Sequence, residues 1–268
     1  MSLLTSRSNP KIKQIRRLLQ GRKERRETGL FVAEGIRHVG EAVQAGVELE
    51  YLCYAPELLS SAYANQLIET LAQRGVPCLA VSAETFADLA EKDNPPGILA
   101  VVRQHQLSLE QLNPAVAPWL VALVAPQDPG NIGTIMRTLD AVGANGLLLL
   151  EASADPYHPS AVRASMGTIF WQPIVAASFT SFAAWAGQYG YTIYGTSAHA
   201  SRDYHQARPY RSPRILLMGS ERQGLTAEQA AVCQELLSLP MRGHATSLNL
   251  AVATGVMLYA MLAEERAG

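Results

Sequence analysis

The 268-residue chain is predicted to be an α/β protein in two parts, the second built on a parallel sheet covered by helices. Three observations predict it. Apolar strand-like runs alternate with helical stretches along most of the length. In the C-terminal half those runs, such as Trp119–Ala125 and Gly146–Glu151, are continuously apolar, the pattern of strands buried on both faces. A polar stretch over Arg103–Pro118, punctuated by Pro114 and Pro118, interrupts the alternation once. The expected organisation is a first domain over 1–104, a linker over 105–118 and a second domain over 119–268.

Residues 9–27 read as a basic helix in which Ile12, Ile15, Leu18 and Leu19 form an apolar stripe and Lys and Arg fill the opposite face. A short strand is expected at Leu30–Val32, then a helix from Glu34 ended by Gly46, and a strand over Glu48–Tyr54. Pro56 opens a helix running to about Arg74. Val76–Val81 is a strand, Ala83–Lys92 a helix and Ile98–Val102 the last strand of this part. The second part opens with strand Trp119–Ala125 and the loop Pro126–Gly130, followed by helix Asn131–Val142 and strand Gly146–Glu151. A loop over Ala152–Pro159 leads to a helix over Ser160–Met166, then strand Pro173–Ala177, helix Ser181–Tyr189 and strand Tyr191–Ser197. Past a long polar loop come strand Ile215–Met218, helix Thr226–Cys233 and strand Leu236–Leu239. Leu239–Leu250 reads as a strand end, a polar loop and the start of a closing helix capped by Ser247. In that helix Leu248, Ala251, Val252, Val256, Tyr259 and Leu262 recur at helical spacing, as in a core or subunit-interface helix.

The net charge of −1 conceals an asymmetry. Residues 1–37 carry ten Lys/Arg, Arg7 and Arg37 among them, against three acids, so the remainder holds 12 basic residues against 20 acidic. A basic arm on an acidic body predicts a local phosphate-binding face. Cys53, Cys78 and Cys233 lie far apart in apolar surroundings, without metal-ligand spacing, and are expected to be buried reduced thiols. No apolar run follows the N-terminal charges and the uncharged C-terminal run is short for a bilayer, so a cytoplasmic protein without membrane contact is expected. The six histidines show no ligand pattern, and no metal is expected.

Parallel α/β sheets bind ligands beyond the carboxyl ends of their strands. Polar residues gather at those ends: Asn131 and Arg137, Gly195–Ser197, Gly219–Glu221 and Met241–Asn249. Neither a Gly-x-Gly-x-x-Gly turn nor a Walker sequence is present, which argues against a dinucleotide reductase or a P-loop enzyme.

Three ordered stretches carry a resemblance. Asn131-Ile132-Gly133-Thr134-Ile135-Met136-Arg137, Leu217-Met218-Gly219-Ser220-Glu221-Arg222-Gln223-Gly224-Leu225, and Leu239-Pro240-Met241-Arg242-Gly243 with Ser247-Leu248-Asn249-Leu250-Ala251-Val252-Ala253 resemble motifs one, two and three of the SpoU (TrmH-like) RNA 2′-O-ribose methyltransferases of the SPOUT superfamily. Gly29–Gly35 is similar to the start of that family's substrate-binding domain, itself similar in fold to some ribosomal proteins. The resemblance implies a C-terminal domain with a deep trefoil knot, an exception to the rule that chains are un-knotted. It further implies S-adenosyl-L-methionine as cofactor, held largely by the backbone at Thr196, Gly219, Leu239, Met241, Ser247 and Leu248, and a homodimer packed through the knot region. Ribosomal RNA is the expected substrate ahead of transfer RNA, and a non-catalytic RNA-binding assembly factor on the same fold is the competing reading. Many family members carry Gly after the motif-two Glu, where this chain has Arg222.

Methyl transfer to a ribose hydroxyl requires alignment of the nucleophile and stabilisation of the alkoxide as its proton leaves. Arg137 is the expected electrostatic stabiliser, the part the resemblance gives it too; a guanidinium is rarely deprotonated, which favours electrostatic and phosphate-assisted activation over literal base chemistry. Asn131, Glu221, Ser247 and Asn249 complete the expected catalytic set, Asn131 being read also as a candidate helix cap. Lys11, Lys13, Arg16, Arg17, Arg22, Lys23, Arg25, Arg26 and Arg163 are the expected RNA contacts, with Arg202 and the loop residues His158, His199, His205 and His244 as further candidates. Tyr157, Tyr204 and Tyr210 could stack on unpaired bases.

Overall fold

The computed structural model describes residues 3–6, 8–90, 95–105, 107–207 and 209–265, with side chains 264 and 265 excepted; Arg7 and Lys92 lie outside the described residues. The chain divides into two compact units. One comprises the residues up to Gln104 together with Tyr157–Trp171, and the other His105–Pro156 with Gln172 onward.

The expected basic helix over 9–27 is two helices, α1 (Pro10–Gln20) and α2 (Arg22–Thr28), parted at Gly21, whose φ of −112° and ψ of 116° are extended. Asn9 caps α1 by accepting from the Lys11 N–H at 2.9 Å, with Pro10 in the first turn. The break leaves the last carbonyls of α1 without helical partners, and the buried Arg25 guanidinium donates to those of Leu18 and Leu19. Ile12, Ile15 and Leu18 of α1 are fully buried, and Tyr51 reaches up to donate to Gln14 Oε1 at 2.9 Å. Then follow β1 (Leu30–Glu34), α3 (Ile36–Ala45), β2 (Leu49–Tyr54), α4 (Ala62–Gln73), β3 (Cys78–Ala80), α5 (Ala83–Ala90) and β4 (Ile98–Arg103). The helix expected from Pro56 is a single 3-10 turn, Pro56–Leu58, separate from α4. The four strands order as β1-β4-β2-β3, with both pairings to β4 antiparallel and β2–β3 parallel.

The second unit holds β5 (Trp119–Val124), α6 (Pro129–Val142) and β6 (Leu147–Leu150). The next helix, α7 (Pro159–Ser165), belongs to the first unit, although the sequence places it in the second domain. Tyr157 and Phe170, at the ends of that inserted segment, lie 4.8 and 6.1 Å from the Phe31 ring. Gly167 in the same segment has φ +106°, and a Cβ there would stand 2.8 Å from Glu41 Cγ. Back in the second unit come β7 (Ile174–Ala177), α8 (Phe179–Gln188), β8 (Thr192–Thr196), β9 (Arg202–Asp203), β10 (Arg214–Met218), α9 (Ala227–Ala231), β11 (Glu235–Ser238) and α10 (Leu250–Glu265). The seven strands order as β7-β6-β5-β10-β8-β11-β9 and all pair in parallel. β9, expected as loop, is a two-residue edge strand held by the Arg202–Glu235 ion pair at 2.9 Å. Strands β5 and β10 are buried throughout, so their near-continuous apolar runs follow from burial on both faces.

Candidate active site

The site is assembled at the carboxyl ends of β5, β8, β10 and β11. The loop after β5 turns sharply, because Ala125 has φ +45° and the Gln127 side-chain amide donates to its carbonyl at 2.8 Å. Asp128 caps α6 by accepting from the Gly130 N–H at 2.8 Å, with Pro129 behind it. The cap is therefore Asp128, not Asn131, and Asn131 is released for other contacts inside the first turn, where it is only 8% exposed. The Asp-Pro pair was the sequence signal for this start.

Asn131 joins all three polar stretches. Its Nδ2 donates to Glu221 Oε1 at 2.6 Å, and its Oδ1 accepts from Asn249 Nδ2 at 3.0 Å. The second Glu221 oxygen accepts the Gln127 N–H at 3.2 Å. Asn249 Oδ1 accepts the Ala251 and Val252 N–H groups at 2.9 and 3.3 Å, so Asn249 caps α10 in the place expected of Ser247. The polarity of the chain of bonds is thereby determined. Helix N–H groups demand an oxygen from Asn249, which turns its NH2 to the Asn131 oxygen and the Asn131 NH2 to Glu221. The run ends on the Glu221 carboxyl group, which accepts at both oxygens.

Beside this network lies a cavity of about 350 Å³. Thr196, Gly219, Leu239, Met241, Ser247 and Leu248, the expected cofactor positions, all line it, together with His199, Glu221 and Arg222. At Gly219 an added Cβ would overlap the backbone at Gly224 and Leu225, so only glycine lets the turn close on itself there. Ser220 and Gly224 close the motif-two turn with reciprocal backbone bonds of 3.1 and 2.9 Å, and Gly224 takes φ +67°. Arg222 sits within that turn without a positive φ, so it fits where many family members carry glycine. Gly195 in β8 admits Cys233, whose sulfur would lie 2.6 Å from a Cβ. Burial pushes the Cys233 and Cys53 thiols up to about 12, which leaves both as unreactive thiols at neutral pH.

Arg137 is exposed on α6, outside the cavity lining, and its side chain makes no hydrogen bond or ion pair among the described residues. Among the expected RNA contacts, Lys13, Arg22 and Arg26 are exposed and Arg16 is half-buried. Lys11 lies over the Tyr51 ring at 4.2 Å, Arg17 pairs with Glu24 at 3.4 Å and Lys23 with Glu27 at 3.8 Å. Arg25 departs from expectation: it is 2% exposed, turned inward to the α1 carbonyls, and offers no charge to solvent. Arg202 is held by Gln206 and Glu235, and Tyr210 is buried edge-on against Tyr194, which removes it as a stacking platform. Tyr157 packs on Phe31, while Tyr204 lies tilted against His205, ring centroids 3.9 Å apart. His158 caps α7 through Nδ1, accepting from Ser160 at 3.2 Å, and His199, His205 and His244 are exposed. No metal-binding group of His, Cys, Asp or Glu occurs among the described residues, and no helix there is long and apolar enough to cross a membrane.

Comparison with known proteins places these features in one group. Residues 118–259 match the model of the SpoU rRNA Methylase family, and residues 9–100 match the MRM3-like substrate binding domain. The chain is 32% identical to the 23S rRNA (uridine(2479)-2′-O)-methyltransferase of Streptomyces viridochromogenes, over 99% of this chain and 93% of that one. It is 30% identical to the 23S rRNA (guanosine(2553)-2′-O)-methyltransferase RlmP of Bacillus subtilis, over 97% and 98% of the two chains. An AdoMet-bound rRNA methyltransferase from Sinorhizobium meliloti superposes with a TM-score of 0.88 at 36% identity, covering 97% of each chain.

Proposed function

The chain belongs to the SpoU rRNA methylase family, and from that premise we propose that it methylates a ribose 2′-hydroxyl of ribosomal RNA using S-adenosylmethionine. The observation that carries the reading is the Asn131–Glu221–Asn249 chain, which ties three distant stretches together beside one cavity. The cavity suits the cofactor: Gly219 lets the motif-two turn fold tightly along one wall, and Leu239, Met241 and Leu248 offer apolar contact. When bound, the cofactor supplies an electrophilic methyl group.

The residues of the chain then do three things. Asn249 and Asn131 lock the start of α10 to the start of α6, which holds the Ser247 loop against the motif-two turn. Glu221 anchors that lock and fixes the Gln127 backbone. Arg137 brings a permanent positive charge to the developing 2′-alkoxide and the neighbouring phosphate. Lys13, Arg22 and Arg26 bind RNA phosphates from the first unit. Two copies pair through the apolar outer face of α10, where Val252, Val256 and Tyr259 are 52%, 37% and 55% exposed. The protein works in the cytoplasm.

The test is ribose-methylation mapping of total RNA from cells with and without the gene, rescued by wild type or Arg137→Ala. One ribosomal 2′-O-methyl site is expected to vanish, to return with wild type, and to stay at least about 100-fold below the wild-type rate with Arg137→Ala in purified assays. A lost site in transfer RNA would overturn the substrate, and no lost site would overturn the activity.

A further inference from the structure

Arg222 stands where many family members carry glycine, and it lines the cavity of about 350 Å³ beside the polar network. Among the described residues it is the one Lys or Arg of that lining, and its exposed side chain makes no hydrogen bond or ion pair there. Its backbone is held in place. Ser220 and Gly224 exchange bonds of 3.1 and 2.9 Å across the turn, and Ser220 Oγ accepts the Gln223 N–H at 3.3 Å. A fixed turn therefore presents an unengaged guanidinium at the cavity wall. The backbone donors nearby are already used. Those three N–H groups close the turn, and Asn249 Oδ1 takes the Ala251 and Val252 N–H groups at the start of α10, where an anion would otherwise bind. Glu221 is the acid of the lining and accepts from Asn131 and Gln127 at its two oxygens. His199 supplies an imidazole in place of a fixed charge.

The cofactor ends in an α-amino acid, whose carboxylate enters the cavity with the rest of the molecule. The volume lies at the lower end of the range for small-ligand sites, so one molecule of this size fills it and leaves no room for an RNA phosphate. A carboxylate taken out of water needs donors of matching charge. The backbone donors of the wall are taken and Glu221 is the wrong partner for an anion, which leaves the guanidinium. We propose that Arg222 binds the carboxylate of the cofactor's amino-acid end in a two-pronged bond, a contact that glycine at this position cannot make. The planar fork of a guanidinium matches the two oxygens of a carboxylate with parallel N–H···O bonds. The carboxylate is the same before and after methyl transfer. Arg222 therefore tightens cofactor and product alike, and acts on KM for the cofactor and not on the transfer step. Because the side chain is exposed, the bond weakens as salt rises.

The proposal rests on the S-adenosylmethionine reading above and adds a residue to it. The test is calorimetry of the full chain with two ligands, S-adenosylhomocysteine and its decarboxylated analogue 5′-deoxy-5′-(3-aminopropylthio)adenosine, which differ only in the carboxylate. Wild type is expected to bind S-adenosylhomocysteine about tenfold more tightly than the analogue, the contribution of one charge-assisted pair of bonds. Arg222→Gln removes that preference and leaves affinity for the analogue within about twofold of wild type. Arg222→Lys, a point charge without the fork, keeps a preference of about threefold. Raising KCl from about 0.05 to about 0.5 M shrinks the preference in wild type and leaves Arg222→Gln unmoved. Equal affinities in wild type, or a preference that survives Arg222→Gln, would overturn the proposal. A surviving preference joined to weaker binding of ribosomal RNA by Arg222→Gln would assign the guanidinium to a phosphate instead. Failure of wild type to bind either ligand would overturn the S-adenosylmethionine reading and this inference with it, whereas binding of both without an Arg222 effect removes the inference alone.

Discussion

At the scale of single residues, the direction of each hydrogen bond decides what a substitution does. Asn131→Asp replaces the NH2 that Glu221 accepts with a second carboxylate oxygen, setting two negative charges together in a nearly buried place. We expect it to lower unfolding free energy by about 1–3 kcal/mol and to weaken S-adenosylmethionine binding. Adding Glu221→Gln reverses the polarity. The new amide donates to the carboxylate at position 131, its oxygen still accepts the Gln127 N–H, and Asn249 still donates to the other carboxylate oxygen. More than half of the lost stability is expected back in urea unfolding, and a double variant weaker than either single one would refute the network. His38 gives a second test. Burial lowers its pKa, against the raising effect of the Arg163, Glu34 and Val162 carbonyls. Below about pH 6.5 the unfolded chain therefore binds a proton that the folded chain resists, and stability falls as the pH drops. Urea unfolding at pH 7.5 and 5.5 should show that loss shrinking in His38→Asn; an identical pH response would count against it. Sequence reading placed Asn131, Glu221 and Asn249 in its expected catalytic set, and the structure joins the three by hydrogen bonds, while the caps fall on Asp128 and Asn249 and not on the candidates Asn131 and Ser247, because these stand two or three residues from equally good cap residues and only the backbone geometry chooses between them.

At the scale of elements, apolar runs and glycines were the legible signals. The strands of the second unit follow from their uninterrupted apolar runs, and the glycine after α3 from its left-handed cap, φ +69° at Gly46. The break at Gly21 was less legible, because glycine inside a helical pattern is tolerated and what decides here is the Arg25 side chain returning to the α1 carbonyls. The motif-two turn yields the clearest element-level expectation. Gly219 faces backbone, which cannot swing aside as a side chain can, whereas Gly243 in motif three has open space around it and no positive φ. Gly219→Ala is expected to force the turn apart at a cost of about 1–3 kcal/mol, lowering S-adenosylmethionine affinity by calorimetry. Gly243→Ala should bind as wild type does. Equal affinities in the two variants would mean that the wall at Gly219 is not part of the cofactor site.

At the scale of the whole molecule, two features escape any local pattern. The assignment of Tyr157–Trp171 to the first unit rests on contacts such as Phe31 with Tyr157 and Phe170, which join residues more than a hundred positions apart. The face that α10 buries is the other. Leu250, Ala251, Met257, Leu258 and Met261 go inward against the chain, while Leu248, Val252, Val256 and Tyr259 of the expected core or subunit-interface stripe face out. Both faces are apolar, so the sequence cannot say which one the chain itself covers. An exposed apolar row with near-helical spacing, adjoining the exposed Met241–Asn249 loop, is the surface expected to meet its own copy across a two-fold axis. Sedimentation of wild type at about 10 μM should then give twice the chain mass, since symmetric interfaces of this kind are the commonest route to soluble oligomers. Val252→Asp with Tyr259→Asp would place four carboxylates in that interface and should yield monomers that melt no earlier than a wild-type monomer would, because neither side chain packs in the core. The same variant should bind S-adenosylmethionine less tightly, since the motif-three loop loses its cover. A wild-type monomer, or a variant that stays dimeric, would remove α10 as the pairing surface.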